Sequence, residues 1–122
     1  MNKELEQFID ISFKRELFIE VTADPSRYNR TGCKYVKLID KLDKEKRRGE
    51  LRELLSHPDP FVRCEAAAYM LEVDEDAAKD VLRKLKRIRY GQIGMIAGMK
   101  ILCWDNKRHG IPMDFSSLGS DD

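Results

Sequence analysis

The sequence has few cysteines and no long apolar run, and each of these absences excludes a class of protein. Its three cysteines, Cys33, Cys64 and Cys103, are far apart and form no C-x-x-C pair. We therefore expect reduced thiols that serve as small packing groups, without disulfides or a metal site. No apolar stretch approaches the roughly 20 residues that a helix needs to cross a bilayer, so we expect no membrane partner.

The alternation of apolar and polar residues that is typical of strands is also missing, which favours helices. Apolar residues make up 42% and charged residues 37% of the 122-residue chain, a balance that suits one soluble, helical domain. The acidic segment from Met1 to Glu6 has neither the basic region nor the apolar stretch of a signal peptide. We therefore predict an all-α protein in the cytoplasm.

Apolar residues recur at three- and four-residue steps, which predicts six helices in sequence. The first runs from Asn2 to Val21, and the third covers about Lys46 to Ser56. Asp24-Pro25, Asp59-Pro60 and Asp74 begin the second, fourth and fifth helices, because aspartate caps a helix and proline suits its first position. The core stripe expected on the first helix is Leu5, Phe8, Ile9, Phe13, Leu17 and Val21.

Short connections between these helices predict three antiparallel pairs. A single pair cannot bury its own apolar face, so the pairs are expected to stack into a short, curved alpha-solenoid. We predict one such domain over residues 1–108 and an irregular tail over residues 109–122, where turn-forming residues accumulate. The second, fourth and sixth helices would form the inner face.

The segment "LRELLSHPDPFVRCEAAAYML", residues 51–71, resembles a HEAT-type repeat. In such repeats a D-P turn joins the outer helix to the inner one, and an arginine ties neighbouring repeats together. The residues at the matching positions are Asp59, Val62, Arg63, Ala66, Ala67 and Leu71. The resemblance therefore implies that Arg63 bridges neighbouring helical pairs.

A wider resemblance covers residues 1–108. The segments "DPSRYNR" and "GQIGMIAGMKILCW", together with the HEAT-like centre, resemble a bacterial family of single HEAT-like domains of unknown function. The resemblance falls on Tyr28-Asn29-Arg30, Ala97, Met99, Ile101 and Trp104; Ile101 stands where the family has leucine. Several small bacterial helical proteins of this kind are encoded beside secreted or contact-dependent toxins. The resemblance thus implies an immunity protein.

No motif in the sequence indicates an enzyme. A Ser-His-Asp pattern, a nucleotide-binding loop and an H-E-x-x-H helix are all absent. The glycines of "GQIGMIAG" are spaced along one helix face, which suits packing rather than phosphate binding. His57 precedes a proline, and His109 lies in the predicted tail. We therefore predict a non-catalytic protein without a cofactor.

Charge is unevenly distributed although the net charge is only +1. Residues 53–82 contain eight acids against Arg63 and Lys79, and residues 83–109 contain eight bases against Asp105. Part of this asymmetry complements helix dipoles. The alternative is a charged surface for a partner.

Two binding functions are compatible with these features. The first is protein binding, in particular to a cognate toxin domain, through residues of the inner helices that the core does not need. These residues are Arg27, Lys34, Glu65, Tyr69, Gln92, Lys100 and Lys107. The second is nucleic-acid binding by the lysine- and arginine-rich helices. The acidic middle of the chain and the lack of aromatic residues among the bases argue against it.

The charge blocks leave two kinds of toxin surface open. A basic cleft would meet the acidic block around Glu65, Glu72 and Asp76, whereas an acidic face would meet lysines. Those lysines are Lys34, Lys100 and Lys107. The sequence does not choose between these surfaces, and it gives no oligomeric state.

Overall fold

The computed structural model describes residues 2–108, and every regular element in this range is helical. The elements, in chain order, are α1 (Lys3–Glu16) with a π-helical continuation (Leu17–Val21), α2 (Pro25–Lys44), a 3-10 helix (Arg48–Ser56), α3 (Pro60–Met70), α4 (Glu75–Lys86) and α5 (Ile93–Arg108). The predicted all-α class is confirmed, and the described part contains the six predicted helices. The predicted tail, residues 109–122, lies outside the described residues.

Side-chain caps begin four of the helices where the sequence predicts them. Asn2, Asp24, Asp59 and Asp74 each accept a hydrogen bond from a backbone N–H of the following turn, at 2.8–3.2 Å. A proline follows Asp24 and Asp59 at the first helical position. Each cap stabilises its helix by about 1 kcal/mol, because it satisfies a backbone donor that has no partner inside the helix.

The third helix is a 3-10 helix rather than an α-helix. Leu51 and Leu54 are three residues apart and both buried, and a helix with about three residues per turn places such a pair on one face. Lys46, at φ 56°, separates this helix from α2. The apolar spacing therefore predicts where this nine-residue helix lies, but it does not predict that the helix is of the 3-10 type.

Only part of the apolar stripe predicted for α1 is buried. Leu5 and Phe8 lie in the core, whereas Phe13, Leu17 and Val21 are 44–72% exposed. Phe13, Leu17 and Val21 follow one another at steps of four residues. One helical turn takes only about 3.6 residues, so each step moves the side chain further around the helix and away from the buried face. The buried face continues instead through Ile11 and Ser12.

Helix α3 lies at the centre of the packing. It contacts α1, the 3-10 helix, α4 and α5, while α1 also packs against α2, and α4 against α5. Ala66 and Ala67 of α3 are completely buried. Their small side chains let the neighbouring helices approach closely. Within residues 2–108, no helix has the length and apolar character that crossing a bilayer requires.

An aromatic cluster joins α1, α2 and α3. The rings of Phe8 and Tyr35 lie 4.9 Å apart between centroids, and Tyr69 lies 6.1 Å from Phe8 and 5.8 Å from Tyr35. The Tyr35 hydroxyl shares a 2.6 Å hydrogen bond with the hydroxyl of Ser12, so this buried polar group is satisfied.

Arg63 stabilises a turn within its own helical pair. Its Nη1 donates to the carbonyl oxygens of His57 at 2.8 Å and Pro58 at 3.0 Å. Both carbonyls belong to the connection between the 3-10 helix and α3. The prediction that Arg63 bridges neighbouring helical pairs is therefore wrong, because both of its described hydrogen bonds stay within one pair. The non-helical turn before α3 leaves carbonyls without helical partners, and they lie within reach of the guanidinium.

Candidate functional site

Helices α2, α3 and α5 line an open groove of about 670 Å³. Most of its lining is apolar, and the principal side chains are Tyr28, Leu71, Met95, Ile96, Met99 and Trp104. Among the described residues, the charged side chains of the lining are Lys100 and Lys107, and no acid lines it. The groove is therefore an apolar surface with charge of one sign.

The position of α5 creates this groove. Ile93 and Ala97 are buried and hold α5 against the core, while Met95 on another face is 61% exposed. A side chain at Gly94 would overlap the carbonyl oxygen of Ile88, so glycine is required for the close approach of α5 to the end of the preceding segment. Residues of α5 spaced three and four apart then share the face that lines the groove.

An ion-pair cluster lies behind the groove at Lys100. The Lys100 Nζ is 3.2 Å from Oε1 of Glu65, and the Arg15 Nε is 3.9 Å from the same oxygen. The Arg15 guanidinium stacks on the ring of Tyr28, 3.9 Å from its centroid, and Nη1 donates to the Tyr28 carbonyl at 2.8 Å. One carboxylate therefore faces two cations, and the cluster carries excess positive charge.

Lys100 keeps its positive charge in this setting. Burial by itself lowers the pKa of Lys100, but the Glu65 carboxylate outweighs it, and the pKa is raised above the usual lysine value. Cys64 precedes Glu65 on α3, and burial raises the pKa of its thiol to about 12. The thiol is thus neutral near pH 7 and is not a nucleophile.

Two shielded donors in this region have no hydrogen-bond partner within residues 2–108. They are the Nε of Arg15 and the indole Nε1 of Trp104. Leaving such a buried donor unpaired costs about 1–3 kcal/mol of stability.

The seven residues predicted for partner binding do not form one surface. Lys100 and Lys107 line the groove. Arg27 is exposed at the start of α2, where it pairs with Asp24 at 3.4 Å. Lys34 lines a separate cleft between α1 and α2. Gln92 precedes α5 and is exposed, and neither it nor Arg27 is among the groove's described lining residues.

Two of the predicted contact residues pack in or against the core. Glu65 is only 4% exposed and serves as the counter-ion of Lys100, so its assignment to a contact surface is wrong. Tyr69 packs against the rings of Phe8 and Tyr35 and covers an edge of the core. The side chain is partly exposed, so its role as a binding anchor stays a prediction.

The apolar lining of the groove was not predicted from the sequence. Met95 and Met99 were given no binding role. A signal was present, since Met95, Met99 and Cys103 recur at four-residue steps on a helix that is also apolar on another face. A helix with apolar residues on several faces has more apolar surface than a small core can cover.

Ion pairs neutralise most of the acidic block. The pairs are Glu65 with Lys100, Glu72 with Arg48, Asp74 with Arg52, Glu75 with Lys79 and Asp80 with Lys84. Five of the eight acids therefore have a cationic partner inside the protein. Glu72 and Asp76 nevertheless remain exposed, so contact between this block and a basic toxin cleft stays a prediction.

Within residues 2–108, no group of three His, Cys, Asp or Glu side chains is placed to hold a metal ion. Comparison of the chain with protein-family models, with curated proteins and with solved structures finds no match, so the geometry of the groove carries the functional argument.

Proposed function

We propose that this chain is a non-catalytic protein-binding module and that the groove of α2, α3 and α5 is its binding surface. The observation that carries this proposal is the lining, which combines apolar side chains with Lys100 and Lys107 and includes no acid among the described residues. Open apolar grooves between helices are suited to bind an amphipathic segment of another protein. Such a surface needs no chemistry of its own.

The proposed architecture is a short HEAT-like solenoid of three antiparallel pairs. Contacts between α1 and α2, between the 3-10 helix and α3, and between α4 and α5 support this arrangement. In it, the second, fourth and sixth helices share the inner face. The joint lining of the groove by α2, α3 and α5 fits that order.

We further propose that the partner is a bacterial toxin, which the protein neutralises in the cytoplasm by stoichiometric occlusion. What motivates this role is the resemblance of residues 1–108 to single HEAT-like domains of unknown function, since several small bacterial helical proteins of that kind are encoded beside toxins. A preformed helical surface loses little conformational entropy on binding, so a tight complex needs no catalysis. Lysines at the groove would speed the capture of an acidic toxin face.

The test begins with the neighbouring genes: the variable C-terminal domain of a large secreted protein encoded just upstream, once such a gene is found, is co-expressed with the wild type, Met95→Asp or Val36→Asp. Met95 lines the groove and is 61% exposed; Val36 is 60% exposed and is not a described groove residue. We expect the wild type and Val36→Asp to protect cells and to co-elute with the toxin in gel filtration, and Met95→Asp to do neither. Equal killing with and without the wild type, and no complex, would refute the immunity role.

Nucleic-acid binding is the second candidate, because one surface feature favours it. Arg83, Lys86, Arg87 and Arg89 surround an open depression of about 710 Å³ at the end of α4. Clustered arginine and lysine side chains attract phosphate backbones through a salt-dependent interaction. A binding assay over a range of salt concentrations separates this candidate from the first.

A further inference from the structure

The two lysines of the groove have a defined spacing. Lys100 and Lys107 are seven residues apart on α5, which corresponds to two turns and about 10 Å along the axis at 1.5 Å per residue. Both line the groove. Two carboxylates on a helix lying alongside α5 would meet both lysines if they, too, were separated by two turns.

Both lysines place positive charge at the groove, although Lys107 is the more exposed of the two. The Lys100 side chain is 23% exposed, and it shares the Glu65 carboxylate with Arg15, so that carboxylate does not balance both cations. Lys107 is exposed and makes no ion pair with a described residue. A partner carboxylate would therefore add a missing negative charge rather than displace an existing one.

The apolar part of the groove suits helical side chains. Met95 and Met99 are unbranched and adaptable, so they can fit ridges of different shape. Tyr28 and Trp104 add rigid aromatic surface.

We infer that the groove binds an acidic amphipathic helix of the partner protein, with one apolar stripe flanked by two carboxylates two turns apart. The inference rests on the proposed protein-binding function and names the chemistry of the segment that is bound. A basic helix of the same apolar pattern would be repelled by Lys100 and Lys107, so the sign of the charge sets the specificity.

The probes are synthetic peptides of about 18 residues, a length that supports helix formation. All have leucines at i, i+3, i+4 and i+7 and contain no tryptophan. One carries glutamates beside the stripe at two positions seven apart; the second has lysines there, and the third has the same composition as the first in scrambled order. Trp104 is the chain's single tryptophan and lines the groove, so its emission reports occupancy.

We expect the glutamate peptide to shift the Trp104 emission and to bind at least about tenfold more tightly than the lysine peptide, as two ion pairs are exchanged for two repulsions. Lys107→Glu should weaken the glutamate peptide about fivefold and strengthen a peptide with one lysine at the facing position. Lys34→Glu, in the other cleft, is the matched control and should change neither affinity.

Lys107 is preferred to Lys100 for this test because Lys107 is exposed. Substituting Lys100 would remove an ion-pair partner of the buried Glu65 carboxylate. Equal binding of the acidic and basic peptides, tighter binding of the basic one, or binding of the scrambled peptide would each overturn the inference. So would the absence of any emission shift. In all four cases the Met95→Asp and Val36→Asp comparison with the toxin still decides the proposed function separately.

Discussion

The carboxylate of Glu20 accepts a hydrogen bond of 2.8 Å from the backbone N–H of Gln92, 72 positions along the chain. Gly91 makes this contact possible. It has a φ of +68°, and a Cβ at this position would overlap the Glu20 carboxylate. The π-helical end of α1 is thereby tied to the segment that leads into α5, the helix that lines the groove.

Gly91→Ala is expected to destabilise the protein by about 1–2 kcal/mol, since alanine in a left-handed conformation is strained. For a domain of this size that corresponds to a melting temperature lower by about 4 °C per kcal/mol, measured by circular dichroism. Gly49→Ala is the control, because a Cβ at Gly49 has no atom within 4 Å and its φ is not positive. Equal loss in both variants would contradict the backbone strain assigned to position 91.

Arg63→Ala is expected to lower the unfolding free energy by about 1 kcal/mol, because it removes two hydrogen bonds to carbonyls that water can partly replace. Thermal unfolding measures the change. The exposed Arg83, for which no hydrogen bond is described, serves as a control: Arg83→Ala should leave the midpoint unchanged. A midpoint for Arg63→Ala that matches the wild type would mean that the turn does not depend on its guanidinium.

Glu16 is expected to make stability depend on pH. Burial, followed by the neighbouring Asp59 carboxylate and then Glu20, raises the pKa of Glu16 from 4.5 to about 7. Asp59 Oδ1 already accepts the first N–H groups of α3, so a proton shared between the two carboxyls resides on Glu16. The folded state then binds more protons than the unfolded state between pH 4.5 and about 7.

Stability from this group therefore falls as pH rises through that window, and remains lower above it. Glu16→Gln keeps a donor for Asp59 without a charge. We expect it to raise the melting temperature at about pH 8 and to have little effect at about pH 4. Glu53→Gln, at an exposed site outside this cluster, is the control. An equal effect of Glu16→Gln at both pH values would show that its charge is not the cause.

We expect the protein not to bind random duplex or single-stranded nucleic acids at physiological salt, because its net charge is only +1. A gel-shift assay tests this. If weak binding appears at low salt, the double variant Arg83→Glu and Arg87→Glu should abolish it, because both residues line the basic depression. Retention at micromolar concentration or below in physiological salt would favour the nucleic-acid candidate instead.

Helix boundaries could be predicted because their causes are local. The caps at Asp24, Asp59 and Asp74 depend on residues within one turn of the chain, and all three are confirmed. The exposed face of α1 could not be predicted, since Phe13 and Leu17 resemble core residues until the neighbouring helices are placed. Burial of this kind is decided by tertiary packing.

The candidate site was only partly predictable for the same reason. Lys100 and Lys107 were selected because they lie on the last helix and have no role in an apolar core, and both line the groove. Glu65 met the same criterion by sequence, yet its charge is used internally to hold Lys100 and Arg15. Sequence position does not distinguish a charge that faces solvent from one that is paired inside.

The central position of α3 has a consequence for how the protein unfolds. Long helical arrays can lose terminal units one at a time, because each unit contacts only its neighbours. Here α1, the 3-10 helix, α4 and α5 all contact α3, so a chain in which α3 melts loses most of its interfaces at once. We therefore expect a single cooperative transition, with far- and near-ultraviolet circular dichroism giving the same midpoint. Local unfolding next to the groove, without global unfolding, would have to leave α3 in place.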